Sequence, residues 1–171
     1  MAALSKKICL LGEFAVGKTS LVRRFVYDRF DDKYISTIGV KVSRKVVAVP
    51  RDNDVVEMTM MLWDLAGSEE FNPVRASYLR GASGAVLVCD MTRAHTLQYL
   101  QSYVDDLRKI SADVSLIIAA NKADLTGERQ LSVDDVAEYA NELGAPYYLT
   151  SAKVGDNVDD LFRRLGKMLV K

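Results

Sequence analysis

The sequence predicts an α/β domain built on a mostly parallel six-stranded sheet, with one antiparallel edge hairpin and helices on both faces. Short apolar runs such as Ala85-Val86-Leu87-Val88-Cys89 and Val114 to Ala120 have the composition of strands buried on both faces of a parallel sheet. Helically periodic segments alternate with them, which calls for right-handed crossovers and helices on either side. Between them and the N-terminus, two strand-like runs flank Pro50-Arg51-Asp52-Asn53-Asp54, turn chemistry suited to a hairpin.

The elements follow in order. Ile8-Cys9-Leu10-Leu11 is the first strand, and Leu21, Val22, Phe25 and Val26 mark the first helix. Residues 28–39 are polar and lack a sustained period, so they read as a long loop. Val40 to Val49 and Val55 to Trp63 are the hairpin strands, and Asp64 to Asn72 is a second loop. Pro73 suits the first turn of a short helix ending near Gly81. Ala85 to Cys89 is the fourth strand, followed by one amphipathic helix marked by Leu97, Leu100, Val104 and Leu107. Val114 to Ala120 is the fifth. Ser132 reads as an N-cap, Val133, Val136, Ala137, Ala140 and Leu143 as the buried stripe, and Gly144 as the C-terminal cap. Tyr147-Tyr148-Leu149 is the last strand; Asp156 or Asn157 caps a final helix with Val158, Leu161, Phe162, Leu165 and Leu169 on its inner face.

A chain of 171 residues suffices for one well-buried core, so residues 1–171 are read as a single domain. Lys plus Arg and Asp plus Glu both number 23, a balance that gives no reason to expect nucleic acid as a partner. Cys9 and Cys89 lie in apolar runs and are expected as buried free thiols in a reducing cytoplasm, bridged only if their strands are neighbours. No apolar leader precedes the first strand, and neither a myristoylation glycine nor a prenylation cysteine is present. A cytoplasmic location without a direct membrane anchor is therefore expected, membrane-peripheral if the natural chain has a lipidated tail.

The functional signal is Gly12-Glu13-Phe14-Ala15-Val16-Gly17-Lys18-Thr19, which fits G-x-x-x-x-G-K-[ST] between a strand and a helix. Two glycines let the backbone turn so that successive N–H groups converge on phosphate oxygens. Lys18 supplies a mobile charge for the β- and γ-phosphates, and Thr19 a hydroxyl for Mg²⁺. In open parallel sheets ligands bind beyond the carboxyl ends of the strands. The loops there carry Lys18, Asp64, Asn121 with Asp124, and Ala152, so four sequence-distant motifs converge on one pocket.

Those motifs, in that order, resemble the Ras superfamily of small GTPases, P-loop NTPases with a Ras-like G domain, over essentially the whole chain. Ile38-Gly39-Val40, Trp63-Asp64-Leu65-Ala66-Gly67 and Tyr78-Leu79-Arg80-Gly81-Ala82 are most similar to the Rab branch, although Leu65 and Leu79 replace residues usual there. The resemblance implies a guanine-nucleotide switch using GTP/GDP and Mg²⁺. Asn121-Lys122-Ala123-Asp124 matches its guanine-reading motif. A carboxylate at Asp124 accepts from guanine N1–H and the 2-amino group, whereas adenine would leave a desolvated charge unpaired. Ala152, between Ser151 and Lys153, would offer its N–H to the guanine carbonyl, Lys122 would lie along the base, and Phe30 would stack on it. Phe14, Ala15, Val16, Gly17, Ser20 and Tyr34 complete the implied nucleotide-binding set. Thr37 would bind Mg²⁺ and the γ-phosphate, Asp64 would hold Mg²⁺ through water, and Gly67 would meet the γ-phosphate. Loss of that phosphate would release both switch loops.

Lys18, Thr37, Gly67 and Ser68 are the catalytic candidates. Ser68 stands where the family has its water-positioning glutamine and is too short for that task; Phe14 stands where smaller residues are usual at the γ-phosphate, and its bulk crowds an incoming arginine finger. Slow hydrolysis is the expectation, with a GTP-holding scaffold as the alternative. A P-loop kinase or ATPase is disfavoured by Asp124. Effectors, exchange factors and GTPase-activating proteins are expected at switch I, switch II and the apolar residues Ile38, Val40, Trp63 and Phe71, core packing being the other reading of Val40 and Trp63. A monomer is expected. Adjacent carboxylates such as Asp105-Asp106 diverge and cannot flank a substrate. His95, the only histidine, is expected in an exposed loop, with no transition-metal site.

Overall fold

The computed structural model describes residues 2–30, 40–65 and 72–170. The order of elements is β1 Ala2–Leu11, α1 Lys18–Tyr27, β2 Val40–Arg51, β3 Asp54–Leu65, α2 Asn72–Leu79, β4 Gly84–Asp90, α3 His95–Gln98, α4 Leu100–Ile110, β5 Ser115–Asn121, α5 Val133–Leu143, β6 Tyr147–Leu149 and α6 Val158–Leu169. The six strands lie in the order β2-β3-β1-β4-β5-β6, all neighbours parallel except the β2–β3 hairpin.

The alternation of side chains along each strand splits the core into two layers. Ile8, Leu10, Val86, Val88, Ile117 and Ala119 face α1 and α6, where Phe25 stacks on Phe162 with ring centroids 4.2 Å apart. Cys9, Leu11, Ala85, Leu87, Cys89 and Ile118 face the other side, packed with Tyr103, Leu107 and Val136. A strand covered on both sides has no face to leave polar, which is why β4 is apolar without interruption until Asp90.

Four boundaries differ from the sequence reading, each for a physical reason. β1 begins at Ala2, because residues 2–7 pair with β3 but gain β4 as a second neighbour only from Ile8. That half of the strand is less covered, so Ser5, Lys6 and Lys7 are tolerated and hide it from hydropathy. The hairpin turn shrinks to Asp52-Asn53, Asp52 taking φ +52, while Pro50 and Arg51 stay in the edge strand and Asp54 opens β3. β3 also runs through Asp64 to Leu65, paired with Val40. The single amphipathic helix is broken into α3 and α4 at Tyr99, which keeps helical dihedrals, and His95 is exposed at the start of α3 instead of in a loop.

Cys9 and Cys89 are buried free thiols although their strands are neighbours. Cys9 lies opposite Ala85, four residues short of Cys89, about 13 Å along the strand and well beyond disulfide reach. Burial pushes both thiols up to about 12. In α5, Ser132 is the N-cap as read, its hydroxyl accepting from Asp135 N–H at 3.0 Å while the Asp135 carboxylate accepts from Ser132 N–H at 2.9 Å. Gly144 closes the helix at φ +67. Of the predicted stripe, Val136 and Ala140 are buried and Val133, Ala137 and Leu143 are half-buried. Asn157 occupies the N-cap of α6 without a side-chain cap, because its amide donates instead to Leu149 O at 2.8 Å.

The α5 cap is testable. Ser132→Ala removes one half of a reciprocal pair and should cost about 1 kcal/mol of stability, lowering Tm by about 2–4 °C for a domain of this size. A calorimetric Tm equal to that of the parent protein would contradict a stabilising role for the box.

Candidate functional site

Register brings the site together. At the carboxyl edge of the sheet, Asp64 of β3 lies opposite Leu10 of β1, Asp90 of β4 opposite Asn121 of β5, and Thr150 follows β6 directly. β1 sits between β3 and β4, where the chain's path across the sheet reverses, so the loop leaving β1 opens into the crevice that such a reversal creates.

That loop is held from outside, one carbonyl at a time. Arg93 Nη2 donates to Phe14 O at 2.7 Å, Lys122 Nζ to Ala15 O at 3.0 Å, and Asn121 Nδ2 to Val16 O at 2.9 Å. In a trans peptide the C=O and the following N–H point in opposite directions. Three successive carbonyls drawn toward the ends of β4 and β5 therefore turn the N–H groups of Ala15, Val16 and Gly17 the other way, into a common concavity that suits an anion. α1 then starts at Lys18, adding the free N–H groups and positive end of its dipole. Both glycines are sterically required: a Cβ on Gly12 would lie 2.4 Å from Val88 O, and one on Gly17 2.2 Å from Asn121 Nδ2.

The outer ends of this clamp meet on Asp90. Its carboxylate, fully buried, accepts from Lys122 Nζ at 2.9 Å and Arg93 Nε at 3.1 Å, and from Thr92 N–H and Oγ1 at 2.8 and 2.6 Å. Burial alone would raise this carboxyl, but the hydrogen bonds from Thr92 and Lys122 outweigh it and hold it below its usual value. Ala15 and Lys122, linked to each other, are both non-glycine residues in the left-handed region at φ +62 and +61. Such conformations cost on the order of 1 kcal/mol each and persist where surrounding bonds over-determine them.

Lys18 is buried and folded back on the loop, donating to Gly12 O at 2.9 Å and Glu13 O at 3.3 Å. Burial lowers its pKa to about 8, against the opposing pull of Asp64 and Glu13. A polyphosphate in the concavity would favour the charged ammonium. Gly12 O also accepts from Tyr103 Oη at 3.2 Å, which anchors the loop to α4. The Thr19 hydroxyl donates to Asp64 Oδ2, so a neutral and an anionic oxygen meet beside the loop, a hard donor pair that suits Mg²⁺.

On the far side, Asp124 accepts from Ser151 Oγ at 2.9 Å, and Ala152 lies next to it, buried. The Asn121 amide also braces the protein itself, Nδ2 donating to Val16 O and Oδ1 accepting from Thr150 Oγ1 at 3.1 Å, which leaves one of its two N–H groups. The ammonium of Lys122 is likewise bound to Ala15 O and Asp90. Phe30 is half-buried and packs in part against the α1/α6 core, Ser20 is half-buried on α1, and Lys153 is exposed. Phe14 is 42% exposed at the rim of the loop and Val40 is 40% exposed on the edge strand. Trp63 is half-buried, with Lys7 Nζ 3.8 Å above its ring and Tyr78 packed against it edge-on. Tyr34, Thr37, Ile38, Gly67, Ser68 and Phe71 lie outside the described residues.

Asp90, Arg93 and Tyr103 were not singled out from the sequence. Asp90 had a usable signal, an acid ending an apolar strand on the edge where ligands bind; the bonds of Arg93 and Tyr103 to the loop had none, since Phe14 O and Gly12 O are distant backbone carbonyls.

A doubly wound sheet with a phosphate loop at its switch point, a hydroxyl–carboxylate pair beside it and an Asn-Lys-x-Asp run at the same edge defines a nucleotide-binding α/β protein. Comparison with protein-family profiles matches the Ras family over residues 7–171, and the chain belongs to that family. It is a GTP-binding small GTPase switch, and members of the family bind guanine nucleotides with Mg²⁺ and engage regulators and effectors.

Arg93→Ala removes one clamp on the phosphate loop and one counter-charge from Asp90. It should weaken GDP binding about tenfold, since a charge-assisted hydrogen bond is worth roughly 1.5–3 kcal/mol. Isothermal calorimetry giving the parental affinity would rule out a role for Arg93 in shaping the loop.

Proposed function

We propose that this small GTPase is a Rab-like guanine-nucleotide switch with slow intrinsic hydrolysis. The observation that carries the nucleotide reading is the run of three anchored carbonyls, which leaves three successive N–H groups for phosphate oxygens. Base choice falls to Asp124, whose second carboxylate oxygen and neighbouring Ala152 suit the N1–H, 2-amino and 6-oxo groups of guanine. Thr19, Thr37 and Asp64 would hold Mg²⁺, which supplies charge neutralisation at the phosphates when bound. Lys18 would exchange its Gly12 and Glu13 carbonyls for phosphate oxygens.

Slow hydrolysis rests on two side chains. Ser68 ends several bonds short of where a glutamine amide would meet an attacking water, and Phe14 projects at the rim of the phosphate loop, in the path of an arginine supplied by another protein. The same exposure of Phe14 favours a second reading, a scaffold that retains GTP; GTP in the gently purified protein supports the scaffold and GDP the switch. Effector and regulator contacts are placed at the switch regions and at Val40 and Trp63. Two buried free thiols fit a reducing cytoplasm.

Two substitutions test this. Asp124→Asn should move preference from GTP toward XTP, because an amide can donate to the xanthine 2-oxo group; competition binding with unchanged GTP preference would overturn the base assignment. Ser68→Gln should raise the single-turnover hydrolysis rate about tenfold, roughly 1.4 kcal/mol of barrier, with little change in GTP affinity. If Phe14 dominates, only the pair with Phe14→Gly accelerates, and no gain in any of the three variants would reject the account of slow turnover.

A further inference from the structure

We infer that Arg24 is a positioning residue for base recognition, acting on the guanine-reading loop from the opposite side of α1. The inference rests on the reading above that the Ala152 N–H meets the 6-oxo group. Arg24 lies six residues into α1, about 9 Å along the helix from Lys18. Its guanidinium crosses to the loop between β6 and α6, where Nε donates to Ala152 O at 2.8 Å and Nη2 to Lys153 O at 2.6 Å. The third nitrogen meets Asp28 at 3.2 Å, but that carboxylate side chain is 91% exposed, so the ion pair is screened and holds little. The two carbonyls are what fix the guanidinium. The planar fork of an arginine suits two neighbouring acceptors in a fixed relative geometry, which the compact ammonium of a lysine does not impose.

The consequence follows from peptide geometry. Drawing Ala152 O toward α1 fixes the peptide that carries the Lys153 N–H; the Ala152 N–H belongs to the preceding peptide, oriented by Ser151 O, which accepts from Gly155 N–H at 2.7 Å, and Arg24 bears on it through the Ala152 Cα that the two peptides share. Among the described residues neither the Ala152 nor the Lys153 N–H has an acceptor, although Ala152 is only 3% exposed. Backbone donors in such surroundings are rarely left without a partner, and a ligand carbonyl supplies one. Because α1 carries the phosphate site at its N-terminus and Arg24 two turns on, it works as a ruler between phosphate and base. Arg24 thereby contributes to guanine specificity without touching the nucleotide.

The test pairs a protein change with a change of one ligand atom. The probes are GDP and 6-thioguanosine diphosphate, which keeps N1–H and the 2-amino group but presents a larger, weakly accepting sulfur at position 6. The parent protein should prefer GDP by about tenfold or more. Arg24→Ala should weaken GDP binding about tenfold and the thio analogue by less than about twofold, collapsing the preference, and Arg24→Lys should fall between. Equal weakening of both ligands, or no weakening of either, would show a brace without a part in base reading and overturn the inference. Should Arg24→Ala not fold, Arg24→Gln, which reaches one carbonyl, carries the same comparison. A parent protein that does not distinguish the two ligands removes the Ala152 contact itself and the inference with it, whereas a preference retained by the variants removes the inference alone.

Discussion

The phosphate loop depends on the buried carboxylate of Asp90. Asp90 ends β4 with its side chain out of contact with water, and both cations it binds reach past it to the phosphate loop. A carboxylate in such a place is costly unless paired, and the pairing ties the positions of Lys122 and Arg93 to the sheet. Through them the sheet dictates which way the peptides after Phe14 and Ala15 face. The loop's affinity for anions is thus a property of β4 and β5 as much as of its own glycines.

Sheet order makes that arrangement possible. With β1 between β3 and β4, the ends of three strands surround the start of α1, and the register sets Asp64, Asp90 and Asn121 at one edge. Thr19 meets Asp64 on one side of the phosphate loop while Asn121 and Lys122 meet it on the other. Arg24 and Asn157 extend the same logic to the far loop, one holding Ala152 and Lys153 from α1, the other holding Leu149 from the foot of α6. Short loops between rigid elements need such ties, because a connection of a few residues has too little buried surface to hold itself.

Much of the fold was legible because burial and periodicity are local. β4 and β5 announced themselves as apolar runs, α5 by its capping residues and stripe, and the phosphate loop by its spacing. Reading failed where partners decide. The N-terminal half of β1 carries Ser5, Lys6 and Lys7, tolerated where the strand has one neighbour in place of two, and the extension of β3 over Asp64 is imposed by pairing with β2. Asp156 and Asn157 both suit the N-cap of α6; Asn157 takes the position, but a strand carbonyl nearby competes successfully for its amide.

By itself the sequence determined the α/β class and the strand–loop–helix of the phosphate site. These are properties of composition and spacing, which act over a few residues. Tertiary structure alone decided that Asn121 braces the phosphate loop, that Lys122 answers to Asp90, and that Arg24 binds a loop 128 residues away. Asn121 and Arg24 each choose a distant backbone carbonyl, and a carbonyl is the same in every residue. No pattern of residue types can mark it as a partner until the sheet has brought it within reach.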